Sequence, residues 1–165
     1  MTTIKIVRDY PHPPSKVWRA LTVPELMALW GMRPEGFAPV VGTRFKLIAK
    51  PQPGWRGFVE CEVLAVEAPG AAGLLEISWV GNTGQAPMTV RYRIEEHAGG
   101  TRLTFEHEGF TGIGGFILAK LMMGPGWRKM FGTAVPAVLA DLDDAGELRK
   151  SSALKRKFPP AEASA

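Results

Sequence analysis

Three polar side chains give this chain its means of acid or base chemistry. His107 and Arg8 each alternate in step with apolar neighbours on predicted strands, so we expect both to point toward the interior. Glu60 lies on a strand whose inward face the sequence leaves undetermined. Because a buried charge is costly unless it is paired, an Arg8–carboxylate pair or a hydrogen-bonded core histidine is the favoured structural hypothesis. If the three meet in a cavity, they could orient a polar ligand group or serve as an acid–base pair.

Familiar catalytic and metal-binding patterns are missing from the sequence. It has no Gly-x-Ser-x-Gly elbow and no Walker loop, and the glycines of residues 112–115 do not form a dinucleotide fingerprint. His12, His97 and His107 lack the spacing of metal ligands, and Cys61 is the single cysteine. The sequence therefore predicts neither a metal site nor a cofactor.

Large apolar side chains on the predicted inward faces form a second group of candidates. Such residues usually pack in a core, but as a set they could line a cavity for an apolar ligand. Methionine adapts its shape and suits a pocket of this kind. The ligand-binding candidates, with His107 included, are Trp30, Phe45, Leu47, Trp79, Met88, Tyr92, Phe105, His107, Phe110, Phe116, Trp127, Met130 and Phe131.

Residues 116–123 are apolar nearly all round and predict a short helix. The sequence Gly124-Pro125-Gly126 is expected to end this helix. Its function has three interpretations: a lid hinged on glycines over a cavity, a surface facing a membrane or a second copy of the chain, or a part of the core.

Strands and helices must position these residues. Helices are predicted at residues 16–21 and 24–30, where prolines introduce them, and at residues 127–144, where one face is apolar and Pro136 should bend the helix. Residues 34–39 predict a loop. Alternating polar and apolar residues indicate an antiparallel sheet with one face in water. The predicted strands are residues 4–10, 43–49, 56–66, 74–80, 87–96 and 101–108.

This order of elements is that of a helix-grip fold in the α+β class. It predicts a curved antiparallel sheet of six to seven strands around a long C-terminal helix, with two short helices after strand one and a hollow inside. We place the domain at residues 1–146 and expect residues 147–165 to form a basic disordered tail. Strand 56–66 carries apolar residues on both faces, which a β-bulge would reconcile.

Charge and composition bear on whether the protein binds nucleic acid or crosses a membrane. The net charge of +4 lies in the tail, where five basic residues after residue 148 face one acidic residue, Glu162. The remaining chain is neutral, which argues against nucleic-acid binding. No apolar run approaches the roughly 18 residues of a membrane span, and the N-terminus lacks the apolar segment of a signal peptide. We therefore expect a cytoplasmic protein without a transmembrane segment.

A set of residues spread over residues 3–144 is typical of one superfamily. The set is Pro13, Val17-Trp18, Ala20-Leu21-Thr22, Pro24, Leu26, Trp30, Gly42, Phe45, Glu60, Val63-Leu64, Pro69, Ser78-Trp79, Gly100-Thr101-Arg102-Leu103-Thr104, His107, Gly109 and Gly126-Trp127. In these residues the chain resembles the SRPBCC superfamily, which includes START lipid-transfer domains and aromatase/cyclase domains. Within it, the chain looks most like homologues of the activator of the heat-shock-protein-90 ATPase. The resemblance implies a cavity between sheet and helix, and implies less about activity.

Three functional hypotheses follow. The main one is a protein that encloses a small hydrophobic or aromatic molecule, such as a lipid or a polyketide-like compound. The second is a cyclase, dehydratase or hydrolase that uses the same cavity, which requires His107, Arg8 or Glu60 to cluster there. The third is a chaperone partner that stimulates the chaperone's ATPase. A homodimer formed through residues 116–123 is compatible with all three.

Overall fold

A computed structural model describes residues 1–154 and confirms the helix-grip fold. Two short helices, α1 (Pro14–Thr22) and α2 (Pro24–Trp30), follow the first strand. The seven strands within these residues are β1 (Thr2–Tyr10), β2 (Arg33–Glu35), β3 (Arg44–Ile48), β4 (Phe58–Glu67), β5 (Ala72–Trp79), β6 (Met88–His97) and β7 (Gly100–Phe110). All pair antiparallel in one curved sheet, in the order β1-β7-β6-β5-β4-β3-β2.

The sequence predicts a loop from residue 34, but residues Arg33–Glu35 form the edge strand β2. β2 pairs with β3, and Pro34 lies opposite Leu47. An edge strand tolerates proline because one of its sides has no neighbouring strand, so a backbone N–H on that side is not needed for a hydrogen bond.

Strand β4 contains a register shift of the kind that would reconcile the apolar residues on its two faces. The register with β5 shifts between Val63 and Ala65. Before the shift, Val59, Cys61 and Val63 alternate on the buried face and Leu64 is exposed on the outer face. After the shift, Val66 packs against the core although its parity in the sequence is that of Leu64.

One long helix, residues 112–140, packs across the inner face of the sheet. It alternates between α and π turns without a break, so the prediction that Gly124-Pro125-Gly126 ends a first helix is wrong. The sequence also extended the final helix to residue 144, four residues beyond its observed end. The segments are α at Gly112–Ile117, π at Leu118–Met123, α at Gly124–Lys129, π at Met130–Ala134 and α at Val135–Ala140.

The π turns explain how the helix continues through its prolines. Before Pro136, the Val135 N–H donates to the Met130 carbonyl, five residues back. The Phe131 carbonyl would then pair with residue 136, but proline has no N–H to donate. The Tyr10 hydroxyl supplies the missing donor, at 2.7 Å from the Phe131 oxygen. A tertiary contact thus satisfies the carbonyl that the helix leaves free.

Residues 147–154 of the predicted tail bond to the domain instead of extending from it. Arg19 Nη2 lies 2.6 Å from a Glu147 carboxylate oxygen, and the Ser152 hydroxyl donates to Asp141 at 2.6 Å. Residues 155–165 of that tail lie outside the described residues.

Candidate ligand-binding cleft

A narrow cleft opens between α2, the inner face of the sheet and the long helix. The segment from α2 to Phe37 forms one wall, and β3, β5 and β6 form the floor. The long helix closes the third side with Trp127 and Met130. Three layers of the fold therefore meet at this cleft.

The cleft is much smaller than the hollow that the fold order predicts. Its volume is about 30 Å³, which is room for one or two water molecules. Sites for drug-sized ligands usually enclose about 300–1,000 Å³. In this conformation, the protein's own side chains fill most of the space between sheet and helix.

Aromatic rings fill that space. Trp127 and Phe131 stack along the long helix, with ring centroids 5.7 Å apart and ring planes 7° apart. Phe105 of β7 packs on both, at centroid distances of 4.5 and 4.7 Å. Pairs at such distances stabilise a core beyond the area they bury. We define the aromatic cluster as Trp79, Phe105, His107, Phe110, Trp127 and Phe131.

The mouth of the cleft lies between the connection after α2 and the long helix. Met32, Phe37 and Met130 line the cleft there and stay partly exposed, whereas most of the deeper lining is buried. Met27 lies behind them in the lining. Unbranched thioether side chains change rotamer readily, so this side of the cleft is its adaptable side.

Three side chains of the lining carry a nitrogen or oxygen atom. Trp30 Nε1 donates to the Ala20 carbonyl at 2.8 Å. Trp127 Nε1 donates to His107 Nδ1 at 3.2 Å. The Tyr92 hydroxyl makes no hydrogen bond to any residue that the structure describes, and burial raises its pKa, so the hydroxyl stays protonated. Tyr92 therefore offers the cleft a polar group that is free to bind a ligand.

His107 is fully buried in the aromatic cluster and does not line the cleft. Its ring centroid lies 4.7 Å from that of Phe110 and 5.1 Å from that of Trp79. Because Nδ1 accepts the Trp127 hydrogen bond, the ring proton lies on Nε2, which has no partner among residues 1–154. Burial lowers the pKa of His107 to about 3, so the ring is neutral at pH 7.

Arg8 points inward, as predicted, but the predicted carboxylate pair is wrong within the described residues. Its guanidinium packs on the long helix at Gly132, where an added Cβ would lie 3.3 Å from Arg8 Nη2. Its Nε is buried and has no partner within residues 1–154. The arginine therefore serves as a packing residue at the second π turn.

Glu60 lies on the outer face of β4, so the hypothesis that it meets His107 and Arg8 inside is wrong. Its side chain is 53% exposed and lies 3.6 Å from Arg56. The bulge in β4 explains why parity in the sequence left this face undetermined. The structure therefore does not assemble an acid–base set from the three candidates.

The predicted ligand-binding residues divide into three groups. Phe116 is exposed, and Trp79, Met88, Phe105, His107, Phe110 and Phe131 are buried without lining the cleft. The candidates that do line it are Trp30, Phe45, Leu47, Tyr92, Trp127 and Met130. Sequence reasoning missed Leu21, Met27, Gly31, Met32, Phe37, Leu75 and Ile77.

A signal for part of the missed set was available. Met27 lies in the predicted helix of residues 24–30, and Met32 lies two residues after its end. These two methionines, with Phe37 nearby in the sequence, are typical of an adaptable apolar wall. Leu75 and Ile77 alternate on the inner face of β5, but their position under the cleft depends on sheet curvature.

Residues 116–123 do not line the cleft. Phe116, Ile117, Leu121 and Met122 are exposed and Ala119 is buried, so the interpretation of this segment as core is wrong for most of it. No helix within the described residues has both the length and the apolar character to cross a membrane.

Residues 1–154 contain neither a cluster of metal ligands nor a thiol that is ionised at pH 7. No three His, Cys, Asp or Glu side chains there lie close enough to hold a metal ion. Cys61 is buried under the sheet, and burial raises its pKa to about 12, so the thiol stays protonated.

The fold and cleft define a helix-grip protein, a class whose fold supports ligand binding between sheet and helix. Residues 11–139 match the sequence model of the family described as "Activator of Hsp90 ATPase homolog 1-like protein", and the chain belongs to this family. The resemblance seen in the sequence is thereby confirmed. No curated protein matches the chain.

Solved structures share the fold. Protein MLL2253 from Mesorhizobium loti is 32% identical, and the match covers 85% of this chain and 97% of that one, with a TM-score of 0.69. CalU16 from Micromonospora echinospora is 27% identical over 81% and 71% of the two chains, with a TM-score of 0.63. The Aha1 dimer from Colwellia psychrerythraea, at 16% identity, 83% and 96% coverage and a TM-score of 0.63, shares the fold alone.

Proposed function

We propose that the protein binds a small, flat and largely apolar molecule with one hydrogen-bonding group in the cleft between α2 and the long helix. One observation carries the proposal. The cleft is apolar, reaches solvent past Met32 and Met130, and contains the Tyr92 hydroxyl without a protein partner among the described residues. Polar groups in ligand sites are few and fix orientation, which is the role we assign to Tyr92.

Binding requires the cleft to widen. Its volume of about 30 Å³ accommodates no ring, so side chains at the mouth must move aside. Met27, Met32 and Met130 can do so by rotamer changes, without a shift of the backbone. The stacked aromatic cluster forms the fixed wall.

The shape of the cleft favours a flat ring system over a long acyl chain. A planar molecule can stack on the rings of Trp30 and Trp127, which both line the cleft, at small cost in added volume. An acyl chain needs a long tunnel, and the aromatic cluster closes the interior beyond Trp127. Fused-ring compounds of the polyketide kind therefore suit the site better than lipids.

The experiment titrates the protein with 2-naphthol by isothermal titration calorimetry, with native mass spectrometry for stoichiometry. We expect one molecule per chain. Leu47→Trp fills the cleft and should abolish binding, whereas Leu64→Trp, on the exposed outer face of β4, should leave it unchanged. Tyr92→Phe should weaken 2-naphthol about fivefold, through loss of one hydrogen bond, and leave naphthalene unaffected.

Two results would overturn the proposal that the cleft is a binding site. One is the absence of binding by 2-naphthol and naphthalene alike. The other is equal binding by the Leu47→Trp and Leu64→Trp variants, which would place any bound probe outside the cleft. If palmitate binds more tightly than both aromatic probes, the ligand is a lipid and not a flat ring system.

Family membership supports a second proposal, that the protein stimulates the ATPase of a chaperone of the Hsp90 class. Its test is the hydrolysis rate of the purified chaperone with and without this protein, and an unchanged rate would remove it. The enzyme hypothesis receives no comparable support, because Glu60 lies outside and His107 is sealed among rings.

A further inference from the structure

The first half of the long helix exposes a patch of large apolar side chains. Ile113 is 81% exposed and Leu121 is 73% exposed. We define the helix patch as Ile113, Phe116, Ile117, Leu121 and Met122. It contains half of the exposed large hydrophobic residues found in residues 1–154. Contiguous exposed apolar surface of this kind marks an interaction site more often than chance exposure does.

The helix that carries the helix patch has charges of one sign. Residues 109–140 contain no aspartate or glutamate, while Lys120, Arg128 and Lys129 are all exposed. Lys120 is exposed, as Ile113, Phe116 and Ile117 are, whereas the adjacent Ala119 is buried against the body, so Lys120 projects from the exposed side of the helix. The patch therefore combines apolar side chains with positive charge and has no negative charge of its own.

We propose that the helix patch binds the surface of an anionic lipid bilayer. The apolar side chains would enter the boundary between headgroups and acyl chains, and the three basic residues would contact the phosphates. A bilayer of this kind supplies an apolar layer and negative charge together, which matches both properties of the patch. The helix lies on the surface and does not cross it, in keeping with its length and composition.

A second copy of the chain matches the patch less well. In a two-fold symmetric dimer the same surface faces itself, so the basic residues of one copy would face a helix patch that is also basic. No acidic residue on the helix could pair with them. The helix is held on the body from its other side, where Ala119, Trp127 and Phe131 are buried, so the patch is preformed.

The test is flotation of the purified protein with vesicles, at low and high salt. We expect binding to phosphatidylcholine vesicles that contain phosphatidylglycerol, weak binding to pure phosphatidylcholine, and a loss of binding as salt rises. The double variant Phe116→Ser, Leu121→Ser should reduce partitioning by at least about tenfold. Lys120→Ala should reduce it about fivefold.

The matched control is Val40→Ser with Val41→Ser, an equally exposed apolar pair in the loop before β3, which should bind as the unchanged protein does. Since all substituted side chains are exposed, each variant should keep its thermal midpoint, so a loss of binding is not a loss of fold. Equal binding by the patch double variant, or no preference for anionic vesicles, would overturn the proposal.

Analytical ultracentrifugation tests the competing occupant. A dimer that dissociates in the Phe116→Ser, Leu121→Ser variant would show that a second copy covers the patch and would overturn the lipid proposal. A monomer at all concentrations would support it. The patch lies outside the cleft, so 2-naphthol binding in vesicle-free solution can fail or succeed independently of this result.

Discussion

The space between the sheet and the long helix has two ends that differ in packing. At the aromatic cluster, rings such as Phe105 and Phe131 are fully buried and touch one another on several sides. At the cleft, Met32, Phe37 and Met130 are only partly buried and leave a gap. The same layers of the fold therefore give a close-packed core at one end and an adaptable site at the other. Rigid rings hold the first end, and flexible side chains leave the second open to change.

Truncating one ring at each end should give the largest difference. Phe131→Ala removes a fully buried ring, so we expect the free energy of unfolding to fall by about 3–5 kcal/mol. Phe37→Ala removes a half-buried ring at the mouth and should cost about 1 kcal/mol. Urea denaturation followed by circular dichroism measures both. Equal losses would show that the mouth is packed as tightly as the cluster.

The pH dependence of stability should reveal His107 at the closed end. Its pKa is about 3 in the folded protein, against an ordinary value of 6.5. Between these values the unfolded chain holds the proton and the folded chain does not, so stability falls as pH drops through this window. His107 should contribute about 1.4 kcal/mol per pH unit to this slope.

Replacing the imidazole tests this slope. His107→Leu should flatten it between about pH 3 and 6.5, even though the whole curve shifts because Trp127 loses its hydrogen-bond acceptor. An unaltered slope in the His107→Leu protein would contradict a buried neutral imidazole.

Removing one tyrosine oxygen at each end should give the smallest difference. Tyr10→Phe leaves the Phe131 carbonyl without its donor and should cost about 1–2 kcal/mol. Tyr92→Phe removes a hydroxyl that has no partner among the described residues and should cost less than about 0.5 kcal/mol. Thermal or urea unfolding of the two variants measures both losses of stability. A larger loss for Tyr92→Phe would mean that its hydroxyl is bonded within the protein.

Alternation and helical spacing predicted most of the scaffold correctly. The strands, α1, α2 and the inward positions of His107 and Arg8 follow from local periodicity, which the backbone geometry imposes on any strand or helix. Glu60 was left undetermined because a bulge shifts the parity of β4, and a bulge depends on pairing with β5. Phe37 was missed as a lining residue because it lies in a loop, where no periodicity applies.

The sequence by itself determined the order of most elements, the apolar inner face of the sheet and the absence of acidic residues from the long helix. These are properties of neighbouring residues, and local geometry alone turns them into structure. Only the tertiary structure decided whether the interior is hollow. The aromatic rings of β7 and of the long helix fill the space between sheet and helix only once these two elements pack together. The tertiary structure also decided that the helix runs through its prolines, since the carbonyl freed at Phe131 needs the distant Tyr10 hydroxyl as its donor.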